Sequence, residues 1–129
     1  MKLTTRGRYA LQALIDLIEN SNGKAVKLLD ISNRQGLSIA YLEQLFNQLR
    51  RGGVVKSVRG PGGGYVMARD AASISIQDVL KSVKELTAYA DVIKLPDEAT
   101  REGVCAHKAI TRLDEAAMKV LAQPISSLL

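Results

Sequence analysis

The run Arg59-Gly60-Pro61-Gly62-Gly63-Gly64 packs four glycines and a proline into six residues, a composition that neither a helix interior nor a central strand accommodates. On either side lie Val54-Val55-Lys56-Ser57-Val58 and Tyr65-Val66-Met67, β-branched and aromatic stretches of strand character. The segment therefore reads as a short antiparallel hairpin with a Gly-rich, basic tip. Upstream of it every periodic stretch is helical. From Arg8 to about Asn20, Leu11, Leu14, Ile15 and Ile18 follow the i, i+3, i+4, i+7 template, and Ser21-Asn22-Gly23 ends the stretch. Val26 to Gln35 is a second, shorter helix with Leu28 and Ile31 inward, stopped by Gly36. Ser38 then stands as an N-cap before Ile39 to Arg50, in which Leu42, Leu45, Phe46 and Leu49 make one stripe, and Gly52-Gly53 closes it.

Two helices joined through only Gly36-Leu37-Ser38, the second polar on its outer face, form a helix-turn-helix, and with the hairpin they make a winged helix. The chain is thus mainly α with a small β-hairpin. A phosphate-binding nucleotide loop is the competing reading of the glycines. That loop needs a Lys-Ser/Thr pair opening a helix, whereas Tyr65-Val66-Met67 continues as strand. What the tip supplies is the Arg59 guanidinium on a backbone able to approach a polyanion closely, the chemistry needed to enter a minor groove.

Length and charge agree with one small module. The 129 residues suit a single core, and no apolar run approaches the roughly 18 residues needed to cross a bilayer. No membrane partner and a cytoplasmic location are the expectation. Residues 1–70 carry eleven Lys and Arg against five Asp and Glu, and residues 71–129 carry seven against eight. A basic half joined to a near-neutral half suits a polyanion binder with a partner or sensor segment attached. The single cysteine, Cys105, excludes an intramolecular disulfide.

After Ala68-Arg69-Asp70, Ser75 caps a helix from Ile76 to about Leu86, with Ile76, Val79, Leu80 and Val83 inward and Asp78 at its N-terminus. Thr87 to Val104, with Pro96 and weak periodicity, reads as a loop. A last helix from about Ala106 to Ala122 repeats apolar residues at Ala109 or Ile110, Leu113, Ala116 or Ala117, and Val120 or Leu121, and Pro124 ends it. At about 25 Å it is too long for a small winged-helix core to cover, so its stripe is expected to pack on the same helix of a second subunit. The expected division is a DNA-binding region over 1–70, a connecting helix over 71–86, a sensor loop over 87–105, and a dimerisation helix and tail over 106–129.

The segments Met1 to Ala10, Tyr41-Leu42-Glu43-Gln44-Leu45-Phe46 and Ser57-Val58-Arg59-Gly60-Pro61-Gly62-Gly63-Gly64-Tyr65 closely resemble the IscR-like iron-sulfur cluster regulators of the Rrf-two family of winged-helix transcription factors. The match is specific over residues 1 to about 85 and looser in the final helix. The resemblance implies a homodimer on a pseudo-palindromic, double-stranded promoter site, with the Ser38–Arg50 helix in the major groove and the wing in the minor groove. It carries DNA contact to Ser38, Ala40, Tyr41, Glu43 and Gln44 on the helix and to Arg59, Gly60 and Pro61 on the wing. Ala40 replaces a residue that is a hydroxyl in some relatives. The side-chain chemistry agrees: Glu43 accepts from a cytosine amino group, Gln44 pairs with adenine, and Ser38 bonds phosphate or a base edge.

The cluster-binding relatives hold a [2Fe-2S] centre with three cysteines and a histidine ahead of the dimer helix. Here Thr87 to His107 contains only Cys105 and His107, and thiolate normally dominates such ligation. Three readings stay open: no cluster, a cluster held by Cys105 with His107 or carboxylates such as Asp91, Asp97, Glu98 or Glu102, or a chain from which cysteines were removed. Control through the Cys105 thiol belongs with the first. Two further function classes compete with a DNA-binding regulator. A Cys-His catalyst is disfavoured because residues two apart at a helix start point to different faces. A winged-helix adaptor that binds protein instead of DNA leaves Arg59, Gln44 and Glu43 unexplained.

Overall fold

A computed structural model of the chain describes residues 4–85 and 100–129, leaving aside the side chains of His107 and Ile110. Helix α1 spans Thr5–Asn20, α2 Leu28–Gln35 and α3 Ile39–Arg51. Strands β1 (Val55–Val58) and β2 (Gly64–Met67) follow, then a 3-10 turn at Ala71–Ser73, α4 (Ile76–Ser82), α5 (Arg101–Leu121) and a closing 3-10 turn at Ile125–Leu128. The strands pair antiparallel with Val55 opposite Met67 and Val58 opposite Gly64. Helix-turn-helix plus hairpin is the winged-helix arrangement.

The core gathers one face of each element around Phe46, which is fully buried with Leu14, Leu17, Ile31, Leu42, Leu49, Val54 and Val79. On α3 the observed stripe is the expected one. On α1 it is rotated: Ala10, Ala13, Leu14 and Leu17 are fully buried, while Leu11 and Ile18 pack at the edge. The small alanines let neighbouring helices come close, so the deepest line of α1 is not its bulkiest.

Element ends differ from expectation for identifiable reasons. Helix α2 starts at Leu28, not Val26, because Val26 is committed to a β-bridge with Tyr65, each amide donating to the other's carbonyl at 2.9 and 2.8 Å. Helix α4 carries the expected Ser75–Asp78 capping box, both bonds 3.0 Å. It stops at Ser82, not near Leu86, and Lys84 takes a positive φ of 62°. The largest correction concerns the segment expected to be loop up to Val104: α5 begins at Arg101, capped by Thr100, whose hydroxyl accepts from the Gly103 amide at 2.9 Å. A threonine cap with Glu102 in the first turn stabilises that start, although no apolar repeat marks it. The rest of that loop, with Asp91, Asp97 and Glu98, lies outside the described residues.

Candidate nucleic-acid interface

The polar surface of α3 is exposed because the opposite surface is core. At about 100° per residue, Ala40, Gln44, Asn47 and Arg51 point away from Leu42 and Leu49, with Glu43 on one flank and Tyr41 and Gln48 on the other. Ser38, Ala40, Glu43 and Gln44 are exposed. The Ser38 hydroxyl accepts the Tyr41 amide at 3.1 Å, which caps α3 and leaves its own O–H proton free to donate. Tyr41 is half-buried, its ring edge-on to Tyr9 with centroids 6.0 Å apart. Glu43 makes no salt bridge or side-chain hydrogen bond among the described residues.

The wing tip is built by its glycines. Gly60, Gly62 and Gly64 have φ of 93°, 74° and 148°, a region closed to most side chains. The Gly63 amide donates to the Gly60 carbonyl at 2.9 Å, and a Cβ on Gly63 would run into the Val58 and Gly60 carbonyl oxygens. Arg59, Gly60 and Pro61 are all exposed on this turn. The Arg59 guanidinium has no acidic partner among the described residues.

Two buried carboxylates tie α1 to its neighbours in the fold. Asp16 on α1 accepts from Arg34 Nη2 at 2.8 Å, Arg34 Nε at 3.0 Å and Gln35 Nε2 at 2.7 Å, which bolts α1 to the end of α2. Burial pushes the Asp16 carboxyl up, but the Arg34 and Gln35 hydrogen bonds and the Arg34 charge outweigh it and hold it below its usual value. Glu85, after α4, accepts from the Thr4 amide at 2.5 Å and the Thr4 hydroxyl at 2.6 Å, and lies 3.9 Å from Arg6 Nε. Between the start of α1 and α3 lies an open cleft of about 430 Å³, floored by Leu45 and lined by Arg6, Tyr41, Gln44, Asn47, Gln48 and Arg51. Of these the sequence reading named only Tyr41 and Gln44. The basic residues Arg50 and Arg51 at the C-terminal end of α3 are visible in the sequence, but the approach of Arg6 is not, because it depends on how α1 crosses α3.

Cys105 is exposed on the second turn of α5. Glu102 precedes it by three positions, and the His107 side chain lies outside what is described. Among the described residues no three of His, Cys, Asp and Glu come together. With one thiol in the whole chain, this donor set does not fit a [2Fe-2S] cluster, whose irons are held mainly by thiolate.

Comparison with known proteins places this architecture. The Rrf2 family model, described as "Iron-dependent Transcriptional regulator", matches residues 3–125. The chain belongs to the Rrf2 family. Within it, the chain is 54% identical over 85 residues to the HTH-type transcriptional regulator IscR of Escherichia coli, an alignment covering 66% of this chain and 52% of that one. The chain thus spans about half the length of the curated relatives it matches. Among solved structures, CymR, the global cysteine regulator of B. subtilis, superposes with a TM-score of 0.80 at 29% identity, covering 99% of this chain and 95% of that one. IscR of T. potens superposes with a TM-score of 0.76 at 32% identity, covering 99% and 85%. The Rrf2 match, over residues 3–125, extends through α5.

Proposed function

We propose that this Rrf2 protein is a dimeric transcription regulator that binds double-stranded promoter DNA, with α3 in the major groove and the wing in the adjacent minor groove. One observation carries the reading: an exposed face of α3 at Ser38, Ala40, Glu43 and Gln44 stands on the same core as a wing whose Arg59 has no acidic partner among the described residues. Ser38 and Gln44 donate, Glu43 accepts, and Ala40 offers a methyl to thymine. Tyr41, half-buried on Tyr9, presents its hydroxyl end at the rim of the same face. Arg59, Gly60 and Pro61 follow the minor groove, where negative potential is greatest when the groove is narrow. The second subunit covers α5, on which Leu113, Met118 and Val120 are 65%, 54% and 52% exposed. No helix among the described residues is long and apolar enough to cross a membrane, and a DNA partner puts the protein in the cytoplasm. The reading includes no catalytic step.

A salt series tests it. Counterion release makes log K fall linearly with log salt. With several phosphate contacts per subunit the slope should be steeper than about −4. A flat response, or a monomer at micromolar concentration in sedimentation, contradicts the reading.

The donor set favours regulation without a [2Fe-2S] cluster. Anaerobic incubation with iron and sulfide should leave the protein colourless while DNA binding persists. Visible absorbance that disappears in Cys105→Ala would restore the cluster.

A further inference from the structure

The proposal rests on DNA binding and adds a site to it. We propose that the cleft between the start of α1 and α3 is a backbone-phosphate site, in which Arg6 and Arg51 supply charge and Gln48 and Asn47 supply amide donors. Three observations carry it. The lining holds two guanidinium groups, three primary amides and a phenol, with no carboxylate. Glu85, 3.9 Å from the Arg6 Nε, has both oxygens accepting from Thr4 and is 5% exposed. A pocket of donors without an acceptor charge suits an anion. Second, Arg6 lines the cleft with its side chain 39% exposed, while its buried Nε lies 3.9 Å from Glu85 and makes no hydrogen bond. Third, the cleft runs along α3 from Tyr41 and Gln44, at the base-reading end, to Arg51 at the far end. Arg51 lies seven residues beyond Gln44, about 10 Å along the axis, comparable to the roughly 12 Å width of the major groove. With the Ser38–Gln44 end against base edges, the Gln48–Arg51 end meets the groove wall, where phosphates run. Arginine suits that wall because its planar fork can grip two phosphate oxygens at once.

The site should act on every sequence alike, since phosphates carry no base identity. The test measures binding of the full chain to a selected promoter duplex and to a duplex of scrambled sequence, each across a salt series. Arg51→Ala and Arg6→Ala should each weaken both duplexes by the same factor, about tenfold, and reduce the salt slope by about one per subunit. Gln48→Glu, which sets a carboxylate in the cleft, should weaken both further. Arg6 also lies near Glu85, so Arg6→Lys is included with thermal melting. It should melt like the parent and bind between the parent and Arg6→Ala. Unchanged affinity and slope in Arg51→Ala overturns the site. So does a loss confined to the selected duplex, which would make Arg51 a base reader. Arg59→Ala separates the two levels. If the parent binds and Arg59→Ala weakens it while the cleft variants do not, the phosphate site fails and DNA binding stands. If the parent itself shows no salt-dependent binding, DNA binding fails as well. Inorganic phosphate distinguishes a free anion from the DNA backbone. At matched ionic strength it should compete no better than chloride, and competition below about 1 mM that Arg51→Ala abolishes would overturn the assignment.

Discussion

At the residue scale the most consequential side chain outside the proposed DNA surface is Asp16. Its side chain is 1% exposed and meets an Arg34 that is 39% exposed, so the pair is half open to water and is stabilised less than a fully buried one. Asp16→Asn leaves the Arg34 fork without its anion and should destabilise by about 2 kcal/mol, below the 3–5 typical of a buried pair. The pH dependence has a fixed sign. A carboxyl held below its ordinary value of 3.8 contributes stability that is fully present above that value and is lost as pH falls through the lower folded value. The melting difference between Asp16→Asn and the parent should therefore be full at pH 7 and shrink at more acidic pH, below about 3.8. A difference that stays constant to pH 2 would mean that the charge is not what matters.

At the scale of elements the wing shows how tightly local chemistry is tied to distant backbone. Gly64 has φ 148°, and a Cβ there would collide with the Val26 carbonyl. Gly64→Ala should cost about 2 kcal/mol or more, read as a lowered denaturation midpoint. A melting point within 1 °C of the parent would show that the wing yields, since even about 1 kcal/mol shifts Tm by several degrees in a chain of this size. The hairpin and α3 were legible in the sequence because both are locally encoded, the first by its glycines and the second by Ser38 and an uninterrupted stripe. The rotated face of α1 was not, since its alanines bury deeply only because other helices approach. The start of α5 was missed because a capping threonine, with a glycine in the first turn, leaves no apolar rhythm. The Arg6 cleft needs a helix crossing that no local pattern records.

For the whole molecule the question is what α5 packs against. Ile125 and Leu121 anchor its C-terminal end to the core, with Ile76 and Ile125 amides donating to Gln123 and Ile74 carbonyls at 2.9 and 2.8 Å. Its middle carries Leu113 into solvent. Leu113→Asp should leave the fold intact, because that side chain touches none of the core, and should shift sedimentation from dimer to monomer. Affinity for a two-half-site duplex should fall with it, since each subunit then binds alone. An unchanged dimer would place the contact elsewhere. The Val26–Tyr65 bridge has a final consequence at this scale. It rivets the hairpin to the stretch of chain entering α2, the first helix of the helix-turn-helix, so wing and helix pair are tied by backbone hydrogen bonds. In the proposed complex each subunit then works as a fixed caliper, one jaw for each groove. DNA whose grooves do not match the jaw spacing must itself bend or narrow, and that deformation becomes part of what the protein selects.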